Sequence, residues 1–348
     1  MLVFAKCMNI LFDNIQLASI VESLNDAAFV VGESGTVLAA NDHSDVLFEG
    51  SCVGKHLTLI LRAPSVLLAI NEAILHAKSA RVSHVVRTPV QRTYDVHISP
   101  LGPSLALVML RDLTNEEQFE QMRSDFVANA SHELRTPLAS LTGFIETMQG
   151  AAKNDTKAKD EFLKMMKAQA DRMARLIDDL LSLSSIEISE HVAPTEIADL
   201  TQIAKQAYDL LSRTATDANC ELLVALPKTL PVIGDANQLS QVVHNLMENA
   251  IKYAGSGKAI EIGGDQKNGM AILSIRDHGP GIAEHHVPRL TERFYRVNVQ
   301  DSRNRGGTGL GLAICKHIIN RHRGKLVIES ELGQGSTFSV HLPLKILT

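Results

Sequence analysis

The feature that most constrains the fold is a helical periodicity across residues 126–148. His132 lies two residues before Leu134, the first residue of an apolar stripe on this helix. At about 100° per residue, its side chain therefore points away from the stripe and toward solvent. Pro137 removes a backbone donor within the helix and frees the carbonyl of Glu133. An exposed histidine beside a carboxylate indicates chemistry, although a single exposed histidine is usually a plain surface residue. The stripe, whose steps of four and three predict packing against a partner helix, comprises Leu134, Leu138, Leu141, Ile145 and Met148.

Length and composition limit the class of protein. A chain of 348 residues predicts two or three domains, and a net charge of −5 gives no reason to expect nucleic acid or an anionic membrane as partner. The 4 cysteines are far apart without a CxxC pair, so neither zinc nor a disulfide framework is indicated. No apolar run reaches the roughly 18 residues that span a bilayer, and no signal-peptide cleavage site follows the start. These features predict a soluble, cytoplasmic chain without a transmembrane segment.

Residues 14–112 predict a mixed α/β domain. The order of elements and the turn Gly35-Thr-Val-Leu-Ala-Ala-Asn41 resemble a PAS sensor domain. No cysteine motif for haem or flavin attachment is present, so a scaffold that dimerises or relays strain stays an equal alternative to a ligand-binding sensor. The predicted elements are two strands around the turn at 32–35, a helix near 65–77, and strands at 82–88, 92–98 and 105–111.

Residues 113–190 predict a helical hairpin. The charged stretch 113–125 contains no Gly or Pro and predicts a rigid connector that runs into the His132 helix. A break near Gly150–Asp155 precedes a second helix from Ala158 to about Ile188. Half-exposed stripes on both helices favour a homodimer in which two hairpins form a four-helix bundle. The second stripe comprises Phe162, Met166, Met173, Ile177, Leu180 and Ser184.

From residue 191 the pattern becomes α/β. A helix is predicted over Leu200–Thr214, and a capping box at Asp235-Ala-Asn-Gln238 begins a helix that runs to about Tyr253. The mixed sheet has predicted strands at 221–225, 259–262, 270–276, 326–330 and 336–342.

Three weak motifs in this region suggest nucleotide chemistry when taken together. Asn245 and Asn249 share a helical face, with Lys252 and Tyr253 one turn further on. An amide oxygen suits Mg²⁺ and a lysine neutralises phosphate, although two helical asparagines alone are usually surface residues. The second motif, Asp277-His-Gly279-Pro-Gly281, follows a strand, where a carboxylate can accept from an exocyclic amine such as that of adenine. The alternative for this motif is a turn with an exposed Asp.

The third motif, Gly307-Thr308-Gly309-Leu310-Gly311, opens a helix that runs to about Asn320. Backbone N–H groups at such a helix start attract an anion. The loop is neither a Walker loop nor a Rossmann fingerprint. The polar segment between the second and third motifs, which contains Arg293-Phe-Tyr-Arg296, predicts a mobile lid over a nucleotide.

Together these motifs resemble the H, N, G1, F and G2 boxes of two-component sensor histidine kinases. The resemblance covers residues 113–346 in the family's order, and Gly333-Gln-Gly-Ser-Thr-Phe338 is similar to its closing strand-turn signature. The stretches 125–139 and 143–150 look most like those of phosphate-regulon sensor kinases. The boxes lie at 131–138, 245–253, 277–281, 293–294 and 307–311.

The resemblance implies a multidomain α+β chain whose ATPase domain is the α/β sandwich of histidine kinases, gyrase and mismatch-repair proteins. The implied divisions are an N-terminal segment at 1–13, a PAS-like sensor domain at 14–112, a dimerisation and histidine phosphotransfer hairpin at 113–190, and a catalytic ATP-binding domain at 191–346.

It also implies ATP and Mg²⁺ as cofactors and a role for each motif. His132 would attack the γ-phosphate, Glu133 would orient or deprotonate its imidazole, and Thr136 would position water to dephosphorylate a partner. The implied cofactor contacts are Mg²⁺ for Asn249 with support from Asn245, phosphates for Lys252 and Tyr253, adenine for Asp277 with Gly279 and Gly281 beside it, and phosphate for the loop of Gly307, Thr308, Gly309, Leu310 and Gly311.

The partner implied is a response regulator. No receiver-like segment is present, so the phosphoryl group is expected to pass to an Asp of a separate protein. Membrane sensors of this family usually begin with transmembrane helices, so the chain is expected to be either a soluble homologue or a truncated form that associates with the inner face of the membrane. Two other readings are an ATP-binding scaffold, disfavoured by the intact His132–Glu133 pair, and an ATP-hydrolysing clamp, disfavoured by Asn245 where clamps carry a catalytic Glu.

Overall fold

A computed structural model describes residues 14–86, 91–189, 192–255, 257–298 and 307–345 of the chain. The predicted N-terminal segment 1–13, the end of the strand predicted at 82–88, and residues 299–306 of the predicted lid lie outside these ranges. The chain divides into two compact units after Val127. No helix of the described ranges is both long and apolar enough to cross a membrane.

The N-terminal unit is a five-stranded antiparallel sheet in the order β2-β1-β5-β4-β3. Phe29, Ile70 and Val96 belong to the larger core, while Leu17 and Val21 cover the opposite face of the sheet. The arrangement agrees with the mixed α/β domain expected from the sequence. The elements are α1 Asn14–Glu22, β1 Ala27–Gly32, β2 Val37–Ala40, α2 Asp42–Leu47, α3 Leu57–Ile60, α4 Pro64–His76, β3 Ala80–Val86, β4 Arg92–Gly102 and β5 Leu105–Asp112.

Asn41, the last residue of the motif that suggested this fold, is a buried connector. Its Oδ1 accepts from the backbone N–H of Ala28 and of Ser44, each at 3.0 Å. Its Nδ2 donates to the carbonyls of Val21, Leu24 and Asp26. One side chain therefore ties the end of α1 to the start of β1 and caps α2, which explains why an amide is needed at this position.

The predicted hairpin is present as α5 Thr114–Gln149 and α6 Thr156–Ser189. The connector and the His132 helix are one continuous helix, which passes through Pro137 without ending. The rings of Phe144 and Phe162 lie 5.6 Å apart and join the two helices. The boundary between the two compact units falls inside α5.

Helix α6 has a buried apolar face in addition to the stripe predicted from the sequence. Ile177 and Ser184 are exposed, whereas Leu176, Leu183 and Ile186 are buried. The sequence prediction followed a single stripe, but α6 also packs against a helix of the C-terminal region. The remaining predicted members, which are half-buried, are Phe162, Met166, Met173 and Leu180.

The C-terminal part of the second unit is an α/β sandwich. Its sheet has the order β11-β12-β10-β9-β7, in which only the β7–β9 pair is parallel. Alternate residues of β10 (Ala271, Leu273 and Ile275) are buried on the face that the helices cover. The elements are β6 Ile197–Asp199, α7 Leu200–Asp217, β7 Glu221–Ala225, β8 Pro231–Ile233, α8 Ala236–Ala254, β9 Ala259–Lys267, β10 Met270–Asp277, a 3-10 helix Glu284–Arg289, α9 Gly311–Arg321, β11 Lys325–Glu331 and β12 Gly335–Pro343.

The start of α8 corrects the predicted capping box. Asp235 is the N-cap as predicted, and its Oδ1 accepts from the N–H groups of Asn237 and Gln238 at 2.9 and 3.2 Å. Gln238 does not return the bond, since its Oε1 has no partner among the described residues. Instead the N–H of Asp235 donates to Nε2 of buried His322, at 3.0 Å, and Nδ1 of His322 lies 2.7 Å from the carbonyl of Ile318.

His322 makes the free energy of unfolding depend on pH. Burial lowers the pKa of His322 below its ordinary value of 6.5, and the two bonds require a neutral ring. Below about pH 6.5 the unfolded chain takes up a proton that the folded chain excludes, so stability falls with pH until the folded pKa is reached. We expect His322→Gln to lower the melting temperature at pH 7.5 and to weaken the drop between pH 7.5 and 5.5. His341→Gln, on β12, is the control, and an equal drop in all three proteins would contradict the role of His322.

Candidate active site

The second unit contains a cavity with a volume of about 550 Å³. It lies between α8, the end of β10, the glycine-rich loop before α9, and α6 of the hairpin. Two of the predicted cofactor-binding residues, Gly279 and Leu310, are not in its lining. The N–H of Gly279 donates to Asp277 from the turn behind it, and Leu310 is fully buried. The predicted residues that do line it are Asn245, Asn249, Lys252, Tyr253, Asp277, Gly281, Gly307, Thr308, Gly309 and Gly311.

Helix α8 supplies amide and carboxylate groups to one wall. Asn245, Glu248 and Asn249 all line the cavity, and Lys252 Nζ lies 2.9 Å from Glu248 Oε1. The described residues contain no group of three or more His, Cys, Asp or Glu that could enclose a metal. Since Mg²⁺ typically takes one or two protein oxygens and completes its shell with phosphate and water, this wall fits Mg²⁺ held together with a nucleotide.

Asp277 ends β10 and is buried rather than exposed. It follows Ala271, Leu273 and Ile275 on the covered face of the sheet, so the period of two directs its carboxylate beneath α8 and into the cavity. Its Oδ1 accepts from the N–H of Gly279 at 2.9 Å. Burial raises the pKa of Asp277.

The glycine-rich loop before α9 is held from two sides. Gly309 has a φ of +78°, and its carbonyl accepts from the N–H of Phe294 at 2.8 Å. Thr308 Oγ1 donates to Asp179 Oδ2 of α6 at 2.6 Å, and Arg296 Nη2 donates to the carbonyl of Thr308 at 2.6 Å. Burial raises the pKa of Asp179. The loop is therefore anchored to the hairpin through a carboxylate and to the predicted lid through a guanidinium.

The helix segment that contains His132 is linked to the glycine-rich loop through Arg296. The His132 side chain is exposed, as the sequence predicted. Next to it, Glu133 Oε2 accepts from Arg296 Nη2 at 3.0 Å and from Arg172 Nη2 at 2.9 Å. Thr136 Oγ1 donates to the carbonyl of His132 at 3.2 Å, a bond within the helix. None of His132, Glu133 and Thr136 lines the cavity, but Arg296 does.

Helix α6 carries a charged face that was not predicted from the sequence. Arg172, Asp179 and Glu187 recur at steps of seven and eight, which places them along one side of the helix. Glu187 forms an ion pair with Arg293, and its Oε1 lies 3.7 Å from His317 Nε2 of α9. The spacing of these charged residues, next to Leu176 and Leu183, is the sequence signal that could have indicated a contact face. It is a weak signal, because a charged stripe on a long helix is usually solvated.

Comparison with known proteins agrees with this arrangement. Residues 122–188 match the His Kinase A (phospho-acceptor) domain. Residues 234–346 match the histidine kinase-, DNA gyrase B- and HSP90-like ATPase family. The chain belongs to the two-component sensor histidine kinases. The ATPase family that residues 234–346 match implies ATP as the nucleotide.

Two curated relatives are sensor proteins. The phosphate regulon sensor protein PhoR of Pseudomonas aeruginosa is 38% identical over 245 residues, which is 70% of this chain and 55% of PhoR. Sensor protein SrrB of Staphylococcus aureus is 34% identical over 254 residues, which is 73% of this chain and 44% of SrrB. This kinase thus spans about half the length of the curated relatives it matches.

A solved structure shares the fold of this kinase over most of its length. Histidine kinase ThkA, crystallised in complex with response regulator protein TrrA, aligns with a TM-score of 0.51 over 94% of this chain and 98% of ThkA. At 20% identity the likeness concerns the fold alone.

Proposed function

We propose that this histidine kinase transfers the γ-phosphoryl group of ATP to His132. One observation carries the proposal: Arg296 lines the cavity, holds the carbonyl of Thr308, and binds Glu133, the neighbour of His132. One guanidinium thus joins the proposed nucleotide site to the proposed phosphoacceptor. An exposed imidazole beside this link can reach a substrate without unfolding the hairpin.

In the proposed reaction a ring nitrogen of His132 attacks the γ-phosphorus, the P–O bond to ADP breaks, and the imidazole proton passes toward Glu133. The protein contributes mainly position and charge. Asp277 accepts from the amine of adenine, and Lys252 and Tyr253 contact phosphates. Asn249, supported by Asn245, holds Mg²⁺, which neutralises charge on the phosphates when bound.

The direct test is incubation of the chain with γ-labelled ATP and Mg²⁺. Label bound to the protein that is lost in acid and retained in base supports phosphohistidine. Release of free phosphate without labelled protein would instead identify an ATP-hydrolysing clamp. Nucleotide binding with neither product would identify a scaffold, and either of these results contradicts the proposal.

We further propose that the phosphoryl group passes to an Asp of a separate response regulator. ThkA, which shares the fold, was crystallised in complex with the response regulator TrrA. Similarity to PhoR favours a regulator of phosphate starvation, and Thr136, one turn from His132, is the proposed residue for its dephosphorylation. Transfer profiling of the phosphorylated kinase against a set of receiver domains tests the assignment; a faster acceptor from another pathway would refute the phosphate role.

The hairpin is the proposed dimer interface. Leu138 and Ile145 of α5, and Ile177 and Leu181 of α6, are exposed in the single chain. The hairpin of a second copy of the chain would bury these side chains in a four-helix bundle, and this supports the proposed dimer.

We therefore expect Leu138→Glu to convert a dimer into a monomer, because Leu138 is 55% exposed in the single chain and a charge there would be buried in the bundle. Light scattering at several concentrations measures the mass. Leu332→Glu, at an apolar residue 65% exposed outside the hairpin, is the matched control. A dimeric Leu138→Glu protein would refute this interface.

A further inference from the structure

We propose that Arg172 is a positioning residue for phosphoryl transfer, which keeps the Glu133 carboxylate in place beside His132 whether or not Arg296 is bound to it. This inference rests on the proposed function. Arg172 belongs to α6, 39 positions after Glu133 in the sequence, and lies outside every motif of the sequence analysis.

The contact is close and mostly shielded from solvent. Arg172 Nη2 lies 2.9 Å from Glu133 Oε2, and both side chains are 13% exposed. Surface ion pairs contribute little because water screens them and both side chains lose freedom. Loss of one partner from a shielded pair costs more free energy, because the remaining charge is left unpaired with reduced access to water.

The same oxygen also binds Arg296, at 3.0 Å, and the Arg296 side chain is 4% exposed. The two arginines belong to different parts of the unit. Arg172 shares the hairpin with Glu133, whereas Arg296 lies beside the glycine-rich loop and lines the nucleotide cavity. Any shift of the ATPase domain against the hairpin therefore affects the Arg296 contact and preserves the Arg172 contact.

This division gives each arginine a separate task. A guanidinium in the nucleotide cavity is attracted by phosphates, and a move of Arg296 toward them would leave the shielded Glu133 carboxylate with one fewer cation. Arg172 keeps that carboxylate paired and in one rotamer while Arg296 exchanges partners. Without Arg172, Glu133 would either follow Arg296 away from His132 or hold Arg296 back from the nucleotide.

The test measures autophosphorylation kinetics with γ-labelled ATP. We expect Arg172→Ala to lower kcat about tenfold or more, as misplacement of a catalytic group does, with the KM for ATP changed less than about twofold. Arg172→Lys should recover only part of kcat, because an ammonium lacks the planar fork of a guanidinium. Lys167→Ala is the matched control: it removes a cation from the same helix, whose pair with Asp171 is exposed, and should leave kcat unchanged.

A double-mutant cycle with Glu133→Gln separates positioning from general structure. If Arg172 acts through Glu133, Arg172→Ala should add little to the loss that Glu133→Gln causes alone. Equal fold losses in both backgrounds would overturn the proposal, as would wild-type kcat in Arg172→Ala. If Arg172→Ala does not fold, Arg172→Lys and its cycle with Glu133→Gln decide by the same criteria. Absence of label in the wild-type chain would instead refute the proposed function itself.

Discussion

Replacement of His132 by glutamine is expected to abolish acid-labile labelling by γ-labelled ATP completely while leaving nucleotide binding unchanged. Glutamine keeps a polar, helix-compatible side chain but has no nucleophilic ring nitrogen. Because His132 is exposed and does not line the cavity, its removal should disturb neither the hairpin nor the ATP-binding wall. The loss should therefore appear in the chemical step alone.

Two measurements on the same preparations check this. Fluorescent nucleotide titration should give equal affinities for the wild-type and His132→Gln proteins, and thermal melting should give equal midpoints. His285→Gln, at another exposed histidine, should label as the wild type does. Residual acid-labile label in His132→Gln would place the phosphoacceptor elsewhere, and a large loss of nucleotide affinity would show that His132 supports the site rather than receives phosphate.

The sequence predicted those parts of the site that depend on short spacings. Asn245 and Asn249 lie one helical turn apart, so their shared face follows from the period of the helix alone. For Asp277 the sequence left open a turn with an exposed carboxylate; the alternation of β10, which includes Asp277, explains why the residue is buried. The helix through Pro137 and the exposure of His132 were predictable for the same reason, since each depends on residues within two turns.

The contacts between the hairpin and the ATPase domain were not predictable in this way. Arg296 and Glu133 are 163 positions apart, and Thr308 and Asp179 are 129 apart. No periodicity relates two such positions, because only the packing of α6 against the C-terminal helices brings them together. His322 was missed for the same reason: it completes a cap on Asp235 from 87 positions away, where the local rule had assigned Gln238.

Alanine at Gly281 is expected to have a large effect on nucleotide binding. Gly281 has a φ of +69°, and a Cβ built there would lie 1.9 Å from the carbonyl oxygen of Glu331. That oxygen belongs to the backbone of β11, so it cannot rotate away as a side chain would. The next residue, Ile282, donates its N–H to Ser330 Oγ at 2.8 Å, so movement of the turn would also break this contact.

The displaced turn would carry one wall of the cavity with it, because Gly281 and Ile282 both line the site beside Asp277. We expect Gly281→Ala to weaken ATP binding at least about a hundredfold, which corresponds to roughly 2.7 kcal/mol or more. Titration with a fluorescent ATP analogue measures the affinity, and thermal melting reports any loss of the domain fold.

Gly333→Ala separates the steric clash from backbone strain. Gly333 has a φ of +83°, so alanine there meets a similar conformational penalty, but a Cβ would find nothing within 4 Å. The N–H of Gly333 donates to the carbonyl of Pro280 at 2.8 Å. Gly333 therefore lies in the turn between β11 and β12, which contacts the turn that contains Gly281. The strain alone is about 1–2 kcal/mol and should lower stability with little change in affinity. Equal affinities in the two variants would mean that the close approach of Gly281 to β11 is not what shapes the wall; a much weaker Gly281→Ala protein would mean that it is.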